Sequence, residues 1–205
     1  VDSLVGSEMC IRDSLYKELL NFCTVDLSAF YFDIRKDALY CDPKDSKKRQ
    51  STIKLLNIIL NSLLKWFAPI LSFTTEEIFR LLSDKHKSIH LEKFIEFPET
   101  FKNEMLNEKW HELIKIRNIC NISIEEKRAS KEIGSSLEAE LEISLDNKWL
   151  KITKDIDFSE LCITSKAEIS YTEDKDLSVK TIKAKGSKCP VCWKISEKIC
   201  SRHPE

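Results

Sequence analysis

Three cysteines and one histidine lie close together in the stretch KCPVCWKISEKICSRHPE. Cys189 and Cys192 form a Cys-x-x-Cys pair, and Cys200 and His203 form a second pair after seven intervening residues. Two such pairs supply the four ligands of a tetrahedral zinc ion. A lone Cys-x-x-Cys pair would be weak evidence, because cysteines are often inert core residues, but so short and charged a segment can bury little apolar surface. We therefore predict one structural zinc ion, whose binding supplies the folding free energy of this segment.

The composition of the 205-residue chain restricts the alternatives. The chain is 42% hydrophobic and 33% charged, which is typical of a soluble globular protein. No apolar run approaches the roughly 20 residues that a membrane helix needs, and the first residues lack the pattern of a secretory signal. We therefore expect a cytoplasmic location and no membrane partner. In that compartment the eight cysteines are expected to be metal ligands or buried apolar groups rather than disulfides.

Glycine is scarce, with only Gly6, Gly134 and Gly186 in the chain. No Gly-x-Gly-x-x-Gly loop or phosphate-binding P-loop can therefore be built, which argues against a nucleotide-binding catalytic core. The formal net charge of −1 gives no global sign of nucleic-acid binding. From Lys175 to Glu205, however, eight Lys or Arg residues face three acidic ones. This cationic tail suits a polyanionic partner, but on charge alone we favour a solvated charged tail.

Apolar residues repeat with helical spacing along the first two-thirds of the chain. One helix is predicted in LYKELLNFCTVDLSAFYFDIRKDALYCD, and STIKLLNIILNSLLKWFAPIL has so broad an apolar face that we expect a central, buried helix. Thr74, Thr75, Glu76 and Glu77 are typical of a capping box that starts the next helix. A long helix from about Lys102 to about Ser130 is expected to end at Gly134 in a left-handed cap.

The hydrophobic period changes after Gly134. Leu137, Ala139, Leu141, Ile143 and Leu145 alternate with polar residues, which predicts a half-buried strand. The stretches ELCITS and AEISYT predict two partner strands. The sequence therefore predicts a mainly α fold, in which a helical bundle is followed by a small α+β unit and a C-terminal zinc knuckle.

Five stretches carry a resemblance to a known family. In order they are LSAFYFDIRKDALYCD, APILSFTTEEIF, SIHLEKF, EEKRASKEIGSSLEAELEI and KCPVCWK. Over about residues 15–205 they resemble the C-terminal region of bacterial isoleucyl-tRNA synthetases. The bundle alone would also resemble valyl- and leucyl-tRNA synthetases, but FYFDIRKDALYCD, IGSSLEAE and the terminal CxxCW favour isoleucine.

The resemblance implies a domain division and a function. Residues 15–133 would be a helical anticodon-binding domain of the class I synthetase type, 134–184 a small α+β unit and 185–205 a zinc-binding tail. Residues 1–14 do not continue the family pattern, so we expect a non-native junction segment. The family attaches isoleucine to its tRNA using ATP, and the signatures of its catalytic core and editing domain do not occur here. We therefore expect an inactive, tRNA-binding part of an isoleucine-tRNA ligase that needs ATP only in the missing core and acts as a monomer on isoleucine tRNA.

Basic and aromatic residues are the candidates for RNA contact, because RNA is read chiefly at unpaired bases held by stacking and phosphate neutralisation. Arg35 and Lys36 lie in the family-like FDIRKD stretch, where a solvated helix end is an equally good interpretation. The run KDSKKRQ, with Lys47, Lys48 and Arg49, is more typical of a loop or a helix start. The candidates in the tail are Lys185, Lys188, Trp193, Lys194 and Arg202. Trp193 could equally cover the apolar side of the knuckle or pack on the preceding strand.

Two alternatives remain at this stage. Many members of the family end in a longer Cys-x-x-Cys…His-Pro…Cys-x-x-Cys array. Either Cys200 and His203 complete a compact zinc site, which we expect, or His203 and Pro204 match the family's His-Pro and the last two cysteines of the array are cut off. The alternative function is a stand-alone helical scaffold with a structural zinc tail that binds protein.

Overall fold

The computed structural model describes residues 13–82, 87–173 and 177–203. The prediction for residues 1–14 therefore falls almost entirely outside the described residues. Contacts divide the chain into two compact units, which we call the first unit (Val1–Cys41 with Leu106–Glu205) and the second unit (Asp42–Met105). Across the described parts of both units, no helix combines the length and the apolar character needed to cross a membrane.

The described part of the first unit begins with one continuous helix over residues 13–41, which we call α1. Its middle, Phe22–Phe32, is π-helical, and the last part, Asp33–Cys41, is α-helical. Apolar spacing predicts the helix but not the π segment, because the wider i→i+5 turns follow from packing rather than from local sequence. Leu19, Leu27, Ile34 and Ala38 are its buried residues.

The second unit contains helices α2 (Lys47–Phe67) and α3 (Ser72–Leu82) and two short 3₁₀ turns at Ile89–Leu91 and Glu99–Phe101. Its buried cluster consists of Leu64, Ala68 and Ile89. The prediction of a fully buried α2 is wrong, since Ile53 on the broad apolar face is 43% exposed. Within this unit α2 packs mainly against α3 and the turn at Ile89, which cover only part of its circumference.

The predicted capping box at Thr74–Glu77 is wrong, because α3 already begins at Ser72. The Thr75 hydroxyl instead donates to the carbonyl of Leu71, the residue just before the helix, at 3.0 Å. The Glu76 carboxylate accepts from the Ser88 hydroxyl and the Ile89 N–H, both at 2.9 Å. These bonds, of which the one from Ile89 N–H acts most strongly, lower the pKa of Glu76 and attach the following segment to α3.

Helix α4 (Glu104–Ala129) returns the chain to the first unit with Leu113, Ile116, Cys120 and Ile124 buried along one face. Gly134 was predicted to be the left-handed cap, but Lys131 occupies that conformation with φ 60°. The Glu132 N–H donates to the Lys127 carbonyl and the Lys131 N–H to the Arg128 carbonyl, which is the Schellman pattern. The Gly134 N–H donates to the Glu138 carboxylate instead, at 2.9 Å.

A three-stranded mixed sheet follows, with β1 (Ala139–Asp146) at its centre. Strand β2 (Lys166–Thr172) pairs parallel to β1, and β3 (Ser178–Lys183) pairs antiparallel. Two short helices, α5 (Leu150–Thr153) and α6 (Phe158–Leu161), connect β1 to β2.

The inward face of β1 confirms the alternation that the sequence predicted. Ala139, Leu141, Ile143 and Leu145 are at most 1% exposed. The prediction of a strand at AEISYT is confirmed by β2, whereas the prediction at ELCITS is wrong, since that stretch forms the end of α6 and a turn with Ile163 at φ 56°. The predicted mainly helical fold with a small sheet is therefore confirmed.

The core of the first unit joins α1 and α4 to the sheet. The Phe30 ring of the π segment meets the Trp110 ring edge-on, with centroids 6.2 Å apart. The Arg117 guanidinium lies 5.2 Å from the centroid of the Phe30 ring and donates to the Leu161 carbonyl at 2.9 Å. These contacts position the C-terminal part of α1 against the segment that carries α6.

Candidate metal centre and nucleic-acid interface

A two-stranded ribbon in the first unit carries the first pair of predicted metal ligands. Strands β4 (Ser187–Lys188) and β5 (Ile195–Ser196) are antiparallel and enclose a tight turn. In this turn the Trp193 N–H donates to the Cys189 carbonyl at 3.0 Å, and the Cys189 N–H donates to the Lys194 carbonyl at 2.9 Å. Trp193 has φ 63°, a backbone conformation that residues other than glycine seldom adopt. The turn brings the Cys189 and Cys192 thiols to the same side.

The structure places all four predicted ligands together. One donor atom from each of Cys189, Cys192, Cys200 and His203 lies within 4.8 Å of every other. The two sulfurs of Cys192 and Cys200 are 3.8 Å apart, and His203 Nδ1 lies 3.4 Å from Cys200 Sγ and 3.6 Å from Cys189 Sγ. A tetrahedron with metal–sulfur bonds of about 2.3 Å and a metal–nitrogen bond of about 2.0–2.1 Å has edges of about 3.8 Å and 3.6 Å. The donor atoms therefore fit a tetrahedral metal site.

The protein environment lowers the pKa of two of these thiols and raises the pKa of the third. Backbone N–H groups, first that of Cys192, lower the pKa of Cys189 to about 6. Burial opposes ionisation of Cys200, but the N–H groups of Arg202 and His203 and the imidazole outweigh it and lower its pKa. Burial raises the pKa of Cys192 to about 11. A metal ion would remove that last proton, because a coordinating thiol is deprotonated outright.

The second pair of ligands is attached to the end of α1. His203 Nε2 donates to the Cys41 carbonyl at 2.8 Å, and this bond is the first cause of the raised pKa of His203. The Arg202 guanidinium forms a two-pronged ion pair with Asp37, at 2.7 and 3.0 Å. The sequence pattern did not single out Asp37 or Cys41 as site residues, although both lie in the family-like stretch FYFDIRKDALYCD.

Two RNA-contact candidates lie beside each other near the end of α1. Arg35 donates to Glu160 on α6 at 2.9 Å, and its guanidinium carbon lies 5.9 Å from the centre of the Tyr31 ring. Lys36 donates to Asp33 on its own helix at 2.8 Å. Both side chains thus have carboxylate partners. Arg35 belongs to the packing between α1 and α6, whereas Lys36, whose side chain is 63% exposed, lies at the surface.

The candidates in the tail surround the ribbon. The Lys188 ammonium lies 5.2 Å from the centre of the Trp193 ring, and Trp193 is 58% exposed. Lys185 is exposed, and Lys194 donates to the Ser159 hydroxyl at 3.4 Å. The tail therefore presents an exposed aromatic ring with cations beside it, while Arg202 is engaged with α1.

A mostly apolar groove of about 380 Å³ lies between α1, α6 and the turn at residues 191–194. Its lining includes Tyr40, which is 81% exposed, together with Val191 and Trp193. The sequence did not predict this groove, because its walls come from three segments that are distant along the chain.

Comparisons with known proteins show the family of the chain. A family model described as the anticodon-binding domain of tRNA ligase matches residues 12–143. The chain belongs to this family. It is also 65% identical over 94% of its length to an isoleucine–tRNA ligase from Pelagibacter ubique, and 36% identical over 91% to one from Bartonella henselae. The chain spans about a fifth of the length of these relatives, 21% and 20% respectively. The resemblance stated from the sequence is confirmed.

Proposed function

We propose that this chain is the tRNA-binding part of an isoleucine–tRNA ligase, an enzyme that attaches isoleucine to its tRNA using ATP. The observation that carries the proposal is the 65% identity over 94% of the chain to a protein of that name, together with the match to the anticodon-binding family. ATP and isoleucine would be handled by parts of the ligase whose signature motifs this sequence lacks, so the chain alone is expected to be inactive. We place its action in the cytoplasm, as a monomer.

We propose a division of labour along the chain, supported for its first part by the family match over residues 12–143. Residues 15–133 would bind the anticodon region, 134–184 would form a supporting α+β unit, and 185–205 would form a zinc-binding tail. Unpaired anticodon bases splay and stack on such surfaces while cations neutralise the phosphates. The residues proposed for RNA contact are Arg35, Lys36, Lys185, Lys188, Trp193, Lys194 and Arg202. The exposed Trp193 ring offers a stacking surface, and the Lys188 ammonium lies where it can approach a phosphate.

We further propose that Cys189, Cys192, Cys200 and His203 hold one structural Zn²⁺. Three thiolates and one imidazole are a common structural zinc set, and the distances between the donor atoms suit a tetrahedral ion. The ion would join the ribbon to the segment that follows it. A site with four protein ligands keeps no open position, so its role is structural rather than catalytic.

Competition between tRNAs tests the proposed partner. The intact chain is mixed with labelled isoleucine tRNA at moderate salt, and unlabelled isoleucine tRNA or another tRNA of equal length is added. We expect isoleucine tRNA to compete at least tenfold better, because base contacts add to the phosphate contacts that every tRNA offers.

Equal competition by both tRNAs would favour the protein-binding scaffold instead. A second assay, isoleucine-dependent exchange of pyrophosphate into ATP, is expected to give no signal with this chain alone. Exchange activity would contradict the assignment of catalysis to other parts of the ligase.

A further inference from the structure

The two ligand pairs of the proposed zinc site are supported differently. Cys189 and Cys192 sit in a turn closed by the β4–β5 ribbon, and the Ile195 N–H of that ribbon donates to the Ser165 hydroxyl at 2.6 Å. Cys200 and His203 follow the ribbon in a segment with no regular secondary structure, residues 197–203. The His203 N–H donates to the Cys200 carbonyl at 3.1 Å, which closes only a local turn. This second segment needs support from elsewhere to present its ligands.

The end of α1 gives that support to the imidazole. His203 Nε2 lies 2.8 Å from the Cys41 carbonyl, and a carbonyl oxygen can only accept, so Nε2 carries the proton. Nδ1 is then the nitrogen with the available lone pair, and it is the one that faces the Cys189 and Cys200 sulfurs. A ligating histidine is generally oriented by such a bond from its other ring nitrogen. The Cys41 carbonyl thus selects the tautomer that a metal requires.

Asp37 holds the same segment one turn earlier on α1. Its carboxylate accepts two hydrogen bonds from Arg202, the neighbour of His203, at 2.7 and 3.0 Å. Burial opposes ionisation of Asp37, but the hydrogen bonds and charge of Arg202 outweigh it and hold its pKa below its ordinary value. Paired arginine–carboxylate bonds fix orientation as well as distance. The backbone beside the fourth ligand is therefore restrained in position before any metal binds.

We propose that the last turn of α1, through Asp37 and the Cys41 carbonyl, is the outer shell of the metal site and positions its second ligand pair. The inference rests on the proposed zinc site. Metal affinity would depend on α1, and by linkage the metal would restrain the last turn of α1, which directly follows Arg35 and Lys36. Zinc binding would thus also restrain the proposed RNA-contact residues of α1, through the contacts between the end of α1 and the segment that carries His203.

Zinc titration against a chromophoric chelator, in reducing and oxygen-free buffer, tests this role. We expect Asp37→Asn to weaken zinc binding roughly 10- to 100-fold, the usual effect of losing an outer-shell partner. Asp33→Asn is the matched control, because it removes the same charge from the same helix but, within the described ranges, breaks an exposed pair with Lys36 instead of the pair with Arg202. Asp33→Asn should change the zinc affinity by less than about twofold, because an exposed ion pair contributes little free energy. Cobalt absorption should show that the ligand set is unchanged in both variants.

Two further measurements separate positioning from general destabilisation. Asp37→Asn combined with Arg202→Gln should bind zinc no more weakly than Asp37→Asn alone, since both changes break one ion pair. Amide hydrogen exchange over Asp33–Cys41 should slow when zinc is added to the unaltered chain and respond less in Asp37→Asn. If Asp37→Asn does not fold, Arg202→Lys, which keeps the charge but not the two-pronged geometry, is expected to show the same loss of affinity.

Equal zinc affinities of Asp37→Asn and Asp33→Asn, or additive losses in the double variant, would overturn the inference. An unaltered chain that folds but takes up no zinc would overturn the proposed zinc site itself, and the inference with it. The two failures are therefore distinguishable in the same titration.

Discussion

At the scale of single residues, the four candidate metal ligands follow from spacing alone, whereas their supports do not. Cys189, Cys192, Cys200 and His203 lie within 15 consecutive positions, so the local pattern contains the whole donor set. The supporting Asp37 is 165 positions from Arg202 and belongs to another element. No repeat of apolar or polar residues along the sequence indicates such a pair. Long-range contacts of this kind depend on how the elements pack, which only the folded structure reveals.

Replacement of one thiol tests the donor set directly. We expect about one zinc per chain in the unaltered protein and a loss of most of it in Cys192→Ser, because a hydroxyl is a poor substitute for a thiolate ligand. The measurement is elemental analysis of protein purified without chelator. Cys23→Ser, in the π segment of α1, is the matched control and should keep its zinc. Well-folded, unaltered protein without zinc would contradict the site.

At the scale of elements, the hydrophobic period predicted strand β1 correctly, whereas the residue signals for the start and end of helices did not hold. The alternation in β1 was reliable because every inward residue packs into the core. The predicted end of α4 was wrong. Gly134 was expected to adopt the left-handed cap conformation, but Lys131 adopts this conformation instead. A Schellman ending requires suitable hydrogen bonds more than it requires glycine, so composition alone places it poorly.

The ribbon that carries the first ligand pair depends on a glycine for a different reason. Gly186 has φ +118°, and a Cβ at this position would lie 2.1 Å from the Ser196 carbonyl oxygen. We expect Gly186→Ala to destabilise the ribbon by about 1–3 kcal/mol and to lower zinc occupancy. Gly134→Ala is the control, because its Cβ would meet only the Glu138 side chain at an ordinary 3.4 Å. Thermal unfolding and zinc content measure both effects, and equal behaviour of the two variants would refute this role of Gly186.

At the scale of the whole molecule, the balance of charge limits how RNA can bind. The chain as a whole has a formal charge of −1, so a long-range field cannot hold a polyanion. Attraction has to come from local surfaces. The tail from position 175 onward has a surplus of five positive charges, and Lys185 and Lys188 are exposed there beside the Trp193 ring. The charge of this tail can be counted directly from the sequence, because net charge needs no knowledge of packing.

The salt dependence of tRNA binding decides whether this tail contacts phosphates. Each phosphate contact to a single-stranded region adds about 0.7 to the slope of log K against log salt, so Lys185→Gln with Lys188→Gln should reduce the slope by about 1.4. The control pair is Lys54→Gln with Lys151→Gln, which removes two exposed cations outside the tail and should leave the slope unchanged. Filter binding at four or more salt concentrations gives both slopes. If the slope falls equally in the two double variants, RNA binding depends on the overall charge of the chain, and the tail makes no specific phosphate contact. If the slope falls only in the tail variant, the phosphate contacts lie beside the proposed zinc site. The two double variants have the same overall charge, so overall charge cannot explain such a difference.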